Sequence, residues 1–167
     1  MKYLSATALF VFSLFLMSAS STEDLGNLPS YKLKKLNGEL VDVASYGKNG
    51  KPTIISFWAT WCKPCLSELN AIADYYEDWQ DDYDVELIAI SLDNQRTAPK
   101  VKGVVNTNGW EYEILKDVNG ESYRQFNFAN PPYLVLVDAE GKIVYKHSGY
   151  LPGSEDEVEE KLIEITE

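Results

Sequence analysis

Both cysteines of this 167-residue chain lie in one short segment, "WCKPC", at the point where the hydrophobic pattern changes. The preceding run, Thr53–Trp58, is short, apolar and rich in β-branched residues, which predicts a buried central strand. After it, apolar residues recur on one helical face, at Leu66, Leu69, Ile72, Ala73, Tyr76 and Trp79, while Glu68, Asp74, Glu77 and Asp78 fall elsewhere. The segment therefore predicts a strand that leads directly into an amphipathic helix, with both sulfurs at the helix start.

The rest of the chain alternates between strand and helix patterns. "YKLKKLNGELVDV" predicts a β-hairpin that turns at Asn37-Gly38. The further predicted strands are "VELIAISL", "YEIL", Tyr133–Val137 and Lys142–Lys146, the last two joined by a turn at Asp138–Gly141. The further predicted helices are Pro99–Asn108, "GESYRQF" and a last one that opens at Ser154, with Glu157 completing a capping box. This order predicts an α/β fold, a central mixed β-sheet flanked by helices on both faces.

The first residues do not belong to that domain. A lysine, an apolar run from Tyr3 to Met17 and the small residues Ser18–Ser20 have the order of a secretory signal peptide, with an uncleaved anchor as the alternative. We therefore predict a signal peptide at 1–20, a linker at 21–28 and one domain at 29–167. The net charge of −11 argues against binding to nucleic acid or anionic lipid.

The position of the two cysteines favours redox chemistry over a structural disulfide. A bridge across two intervening residues would stabilise little, because so short a loop removes little entropy from the unfolded chain. At a helix start, free N–H groups, the helix dipole and the Lys63 charge should lower the pKa of Cys62 below about 8.5. Pro64 suits the first helical turn, and Cys65 should lie deeper than an exposed, nucleophilic Cys62.

The metal alternative is weaker. A zinc site needs about four Cys or His ligands, and the chain has two cysteines and one histidine, His147. That histidine stands near the end of a predicted hairpin strand, where a lone surface histidine is the simpler interpretation. We predict no metal site, and a copper-binding carrier on a related fold stays as an alternative function.

"FWATWCKPCLSEL" resembles the active-site segment of the exported TlpA/ResA-type thioredoxin-like thiol–disulfide oxidoreductases. The "NGELVDV" hairpin, the "TIISFWATWC" strand, the "PPYLVLVDAEGKIV" segment and the closing helix follow in that family's order. The likeness covers roughly Leu28 to Ile165. It implies a thioredoxin-like fold with an N-terminal β-hairpin.

The resemblance also implies roles for residues outside the motif. A proline in cis geometry should face the cysteines, and the matching residue is Pro132. Pro131 precedes it and offers a substrate strand only its C=O, while Tyr133 follows it and is expected to crowd or cap the site. Trp61 should belong to the surface that docks substrate, together with Lys63, Pro64, Pro131 and Pro132, whereas Trp58 should lie in the core.

Glu68 matches an acidic residue of the exported reductases that handles protons and tunes the thiol pKa values. The plain alternative is an ordinary first-turn carboxylate that the helix dipole favours. Cytosolic thioredoxins carry a buried aspartate in the preceding strand, and the matching residue here is Ser56. The absence of that aspartate gives Glu68 more weight as a catalytic residue beside Cys62 and Cys65.

The resulting prediction is an exported thiol–disulfide oxidoreductase that reduces protein disulfides. Its substrates would be apocytochrome c or other envelope thiols, and a membrane-linked thiol donor would supply electrons. We expect no cofactor beyond the redox-active Cys62–Cys65 disulfide, a monomer, and a location in the periplasm or at the outer face of the cytoplasmic membrane. A redox-silent binding module is the remaining alternative.

Overall fold

The computed structural model describes residues 25–167, in which the chain forms a seven-stranded sheet and four α-helices. The strands are β1 Lys32–Lys35, β2 Leu40–Asp42, β3 Thr53–Trp58, β4 Glu86–Ser91, β5 Glu113–Lys116, β6 Tyr133–Val137 and β7 Ile143–Ser148. The helices are α1 Lys63–Tyr83, α2 Val101–Asn108, α3 Glu121–Phe126 and α4 Ser154–Thr166. Two short 3-10 segments, Val43–Lys48 and Ala98–Lys100, lie between them.

The strand order is β2-β1-β5-β4-β3-β6-β7, and the sheet is mixed. Strands β3, β4 and β5 run parallel, β6 pairs antiparallel with β3, and β7 pairs antiparallel with β6. At the other edge the β1–β2 hairpin pairs antiparallel with β5. The predicted mixed α/β sheet with an N-terminal hairpin is confirmed.

Strand β3 lies at the centre of the molecule, and all six of its residues are buried. Successive side chains alternate between the two faces of a strand. Ile54 and Trp58 pack into the core shared with α1, α2 and α4, whereas Ile55 and Phe57 pack into the core that includes Phe126 of α3. Coverage on both faces explains why β3 is an unbroken apolar run.

The capping box predicted for the last helix is wrong. The N-cap of α4 is Gly153, with a φ of 94° and no side-chain capping bond. The Ser154 hydroxyl instead accepts a hydrogen bond from the Leu151 N–H, and the Glu155 carboxylate accepts one from the Gly153 N–H. These local bonds hold the turn before the helix, so Ser154 is the first helical residue rather than the cap.

The predicted signal peptide, residues 1–20, lies outside the described residues. The described end of the predicted linker packs on the domain. The Leu28 N–H donates to the Gly141 carbonyl at 3.0 Å, the Ile143 N–H donates to the Gly26 carbonyl at 2.8 Å, and Leu28 is buried. Packed structure therefore begins at least as early as Gly26. From residue 25 onward, no helix combines the length and the apolar character needed to cross a membrane.

A close backbone approach at Gly141 yields the first prediction. Gly141 has a φ of +87°, and an added Cβ would lie 2.3 Å from the Gly47 carbonyl oxygen. Because backbone cannot move aside cheaply, we expect Gly141→Ala to lower the free energy of unfolding by about 3 kcal/mol or more. The matched control is Gly38→Ala, which has a φ of +93° but open space around it and should cost about 1 kcal/mol. Urea denaturation of the oxidised proteins measures both, and equal costs would contradict the close approach.

Candidate active site

The active-site segment begins where β3 ends. Cys62 is the N-cap of α1, with extended backbone angles (φ −94°, ψ 95°), and Pro64 stands in the first turn. The N–H groups of the first turn have no partner within a helix, so a proline there loses no helical hydrogen bond. The Cys62 sulfur fills the role of a capping oxygen and accepts the Cys65 N–H at 3.3 Å. The sequence thus places one sulfur at the positive end of the helix dipole.

The two cysteines form a disulfide, with 5.3 Å between their Cα atoms. Cys65 is fully buried, and Cys62 keeps 5% of its surface exposed. Cys65 is the deeper residue, as predicted, but the openly exposed Cys62 is not found in this oxidised form. The reason is that its sulfur turns inward, to the Cys65 sulfur and the Cys65 N–H.

The side chains around Cys62 divide between surface and core. Trp61 is 59% exposed, and Lys63 and Pro64 are also exposed. Trp58 is completely buried and packs edge-on against Trp110, with 5.1 Å between ring centroids. Trp61, Lys63 and Pro64 therefore form the outer surface beside the disulfide, and Trp58 belongs to the core, as expected.

The Pro131–Pro132 peptide bond is cis. It directly precedes β6, which pairs with β3 so that Tyr133 lies opposite Phe57. This register puts Pro132 beside the end of β3 from which the chain continues to Cys62. The Pro132 carbonyl accepts the Gly149 N–H at 2.9 Å, which ties this segment to the chain after β7.

Tyr133 does not crowd the site, contrary to expectation. Its ring stacks on Phe128 at 4.6 Å and lies 6.0 Å from Phe57, within the core on the other face of the sheet from the disulfide. The cause is strand alternation: Leu134, the next residue, takes the face shared with Cys65.

Glu68 is buried, with 3% of its surface exposed, one helical turn after Cys65. The helical-face prediction, which placed Glu68 off the buried face, is therefore wrong, and so is the alternative of an ordinary first-turn carboxylate. The Ser56 hydroxyl donates to its Oε2 at 2.8 Å. Burial raises the pKa of Glu68 from its usual 4.5 to about 7, and the hydrogen bond from Ser56 opposes part of that rise.

Asp93 is a residue of the site that the sequence analysis missed. It is fully buried and accepts hydrogen bonds from the Thr60 N–H at 2.8 Å, the Thr60 hydroxyl at 2.7 Å and the Ser91 hydroxyl at 2.9 Å. These bonds fix the loop between β3 and Cys62 to the end of β4. Its position in the sequence could have indicated it. Asp93 follows a buried strand that runs parallel to β3, so it lies at the same edge of the sheet as the loop between β3 and Cys62.

His147 is half-buried rather than an isolated surface residue. Its Nδ1 lies 3.2 Å from the Tyr145 hydroxyl, and its side chain lines a small cavity next to Glu68. Across residues 25–167, no three or more His, Cys, Asp or Glu side chains are grouped so that they could hold a metal ion.

The raised pKa of Glu68 predicts a pH-dependent stability. The folded state binds the proton more tightly than the unfolded chain, so this stabilisation is complete below about pH 4.5 and is lost as the pH rises through about 7. The loss should be about 3 kcal/mol in wild type and absent in Glu68→Gln, which carries no titrating proton there. Urea denaturation across this pH range measures it. Glu77→Gln, on the exposed side of α1, is the control and should follow wild type, and a Glu68→Gln curve parallel to wild type would contradict the assignment.

Comparison with known proteins agrees with this geometry. The model of the AhpC/TSA family matches residues 26–146. Thiol-disulfide oxidoreductase ResA of Bacillus thuringiensis subsp. konkukian is 28% identical over 138 residues, which cover 83% of this chain and 76% of the relative. The solution structure of an uncharacterized thioredoxin-like protein from Porphyromonas gingivalis is 48% identical with a TM-score of 0.75, over 83% of this chain and 91% of that chain.

The crystal structure of StoA from Bacillus subtilis is 26% identical with a TM-score of 0.63, over 84% of this chain and 98% of that chain. The region matched by the family model contains the strand-to-helix junction with the Cys62–Cys65 pair at disulfide distance. With this fold and this pair of sulfurs, the chain belongs to the AhpC/TSA family as a TlpA/ResA-type thioredoxin-like thiol–disulfide oxidoreductase.

Proposed function

We propose that this protein is an exported reductase of protein disulfides that works through the Cys62–Cys65 dithiol. The observation that carries the proposal is a disulfide at the start of α1 with a buried, titratable carboxyl one helical turn further on. The first feature supports attack by a thiolate, and the second supports proton transfer near neutral pH. The net direction, reduction of the substrate, follows from the resemblance to the TlpA/ResA-type reductases.

In the proposed reaction Cys62 is the attacking sulfur. The Cys62 thiolate attacks one sulfur of the substrate disulfide and forms a mixed disulfide, while the other substrate sulfur leaves as a thiolate and takes a proton from solvent. Cys65 then attacks Cys62, the internal disulfide forms and the reduced substrate is released. Glu68 accepts the proton of the Cys65 thiol during this second attack.

Protein substrates would dock on the surface around Cys62. Trp61 offers a large exposed ring, and the exposed Lys63 and Pro64 continue that surface. Pro131 and Pro132, just before the start of β6, would form the opposing side. Because Pro131 has no N–H, it pairs with an extended substrate segment only through its carbonyl.

The cellular setting of the proposal depends on residues 1–20 acting as a signal peptide, followed by a short linker and a catalytic domain whose packed part includes Gly26 and Leu28. Export would place the protein in the periplasm or at the outer face of the cytoplasmic membrane, where oxidising conditions form disulfides. A membrane-linked thiol donor would reduce Cys62–Cys65 again. Apocytochrome c and other envelope thiols are the proposed substrates of a monomeric enzyme that uses no cofactor beyond its disulfide.

The reduction potential tests the proposed direction. In glutathione buffers, with tryptophan fluorescence as the readout, we expect a value nearer to about −270 mV than to about −120 mV, because reductases hold their disulfides more stably than strong oxidants do. The double variant Cys62→Ser with Cys65→Ser is the control and should show no transition. A potential near −120 mV would assign the protein to oxidation instead.

A further inference from the structure

A groove lies between the β1–β2 hairpin and the loops that follow β4 and β5. Its volume is about 520 Å³, and three lysines line it, Lys32, Lys34 and Lys116. Leu40, which is 54% exposed, and the exposed Pro99 add apolar surface. The chain as a whole carries a net charge of −11, so the groove is a local concentration of positive charge on an acidic protein.

Lys34 and Lys116 lie directly opposite each other in neighbouring strands. Residues in such a pair project from the same face, and like charges there destabilise a sheet. Among residues 25–167, neither ammonium group has a carboxylate within ion-pair distance. The two carboxylates that line the groove have other partners, since Asp117 accepts two backbone N–H groups and Glu121 pairs with Arg124. A bound anion would therefore relieve a repulsion that the described residues leave uncompensated.

Protection of a sheet edge does not explain this lysine pair. Lysines on an edge strand discourage pairing with the strands of other chains. In the described sheet the edge strands are β2 and β7, whereas β1 and β5 each have a neighbour on both sides. Lys34 and Lys116 thus face each other inside the sheet, where no edge needs protection.

The groove opens on the same face of the sheet as the disulfide. Leu115 packs in the core of the opposite face, so the next residue, Lys116, takes the face that carries the two cysteines. The loop after β4 connects the two places. Asp93 of this loop binds Thr60 in the active-site segment, and Gln95, two residues later, lines the groove.

The strand register gives the distance between the groove and the active site. Lys116 lies beside Ser91, and Ser91 lies beside Trp58 at the end of β3. With about 4.8 Å between strands, the backbone of Lys116 is about 10 Å and that of Lys34 about 14 Å to the side of this strand end. An extended chain advances about 3.3 Å per residue, so a segment bound at Cys62 reaches the two lysines within about five residues.

We propose that this groove binds an extended, acidic segment of the protein substrate while Cys62 attacks the substrate disulfide. Two substrate carboxylates pair with Lys34 and Lys116, about five residues along the chain from the attacked cysteine. The acidic surface elsewhere repels such a segment, so the groove also orients the substrate. A nucleic acid or an anionic bilayer meets that repulsion over a much larger area, which leaves a short protein segment as the occupant. The inference rests on the proposed function and names the chemistry of its partner.

Reduced protein and two synthetic peptides test the groove. Each peptide carries one cysteine in a mixed disulfide with nitrothiobenzoate, whose coloured thiolate is released as the dithiol is oxidised and the mixed disulfide is reduced. About five residues to each side of the cysteine, one peptide has a pair of glutamates and the other a pair of glutamines. At low salt we expect the glutamate peptide to react on the order of 5-fold faster, because each exposed ion pair contributes little but two contributions multiply.

Variants assign this preference to the groove. Lys34→Gln with Lys116→Gln should abolish it, and about 0.5 M salt should reduce it in wild type. The matched control is Lys48→Gln with Lys146→Gln, which removes the same charge outside the groove and should keep the preference. Lys34→Glu with Lys116→Glu should instead favour a peptide with lysines at the same positions, and misfolding cannot produce such a gained preference.

A titration measures binding without thiol chemistry. The oxidised, isotope-labelled protein is mixed with the glutamate peptide in which serine replaces the cysteine. We expect shifts of the NMR signals of Lys34 and Lys116, and none with the glutamine peptide. Shifts of the same size from inorganic phosphate at the same concentration would assign the groove to small anions and overturn the proposal.

The outcomes separate the groove from the proposed function. Equal rates for the two peptides in wild type, without shifts at the two lysines, would overturn the groove as a docking site and leave the proposed reduction standing, because both peptides are still reduced. Failure to reduce either peptide would count against the proposed function, and the titration would then decide by itself whether the groove binds an acidic segment.

Discussion

The contact between the Cys62 sulfur and the Cys65 N–H at the start of α1 is the interaction on which the rest of the site depends. It joins one sulfur to the positive end of a 21-residue helix and holds the other sulfur one turn inside. The position of this helix start is fixed by β3, buried along its whole length, and by Asp93, which binds the intervening loop through Thr60. A rigid strand, a bonded loop and a capped helix thus determine where the sulfurs lie.

The same helix also carries Glu68, whose burial favours the uncharged form of its carboxyl group. The fold buries a carboxyl group beside the apolar core and gives it one hydrogen bond from Ser56, so its protonated form is favoured up to about pH 7. A group with such a pKa accepts and returns protons at neutral pH more readily than an exposed carboxylate. The helix start therefore favours a charged sulfur, while the next turn favours an uncharged acid. In the proposed mechanism the first serves the attack on the substrate and the second serves the proton transfer.

Sequence patterns predicted the elements whose side-chain order is regular. Thr53–Trp58 was predicted with its observed bounds, because a strand buried on both faces leaves an unbroken apolar run. Hydrophobic periodicity does not predict where polar residues are buried, because it counts only apolar side chains. It therefore placed Glu68 off the buried face and gave no indication of Asp93, although both are buried. Tyr133 was expected at the site because it follows the cis-proline. The structure turns its ring to the other face of the sheet, since the face that a strand residue takes depends on alternation and register in β6. Ser154 is not the N-cap of α4, because its hydroxyl accepts a hydrogen bond from the Leu151 N–H in the preceding turn.

The central claim is that Cys62, at the helix start, is the sulfur that ionises and attacks. Its most direct test is the alkylation of the fully reduced protein over a range of pH, with the modified cysteine identified by mass. The account predicts that Cys62 reacts first and that the midpoint of its pH dependence lies below the ordinary cysteine value of about 8.5. First modification at Cys65, or a Cys62 midpoint at or above 8.5, would contradict it.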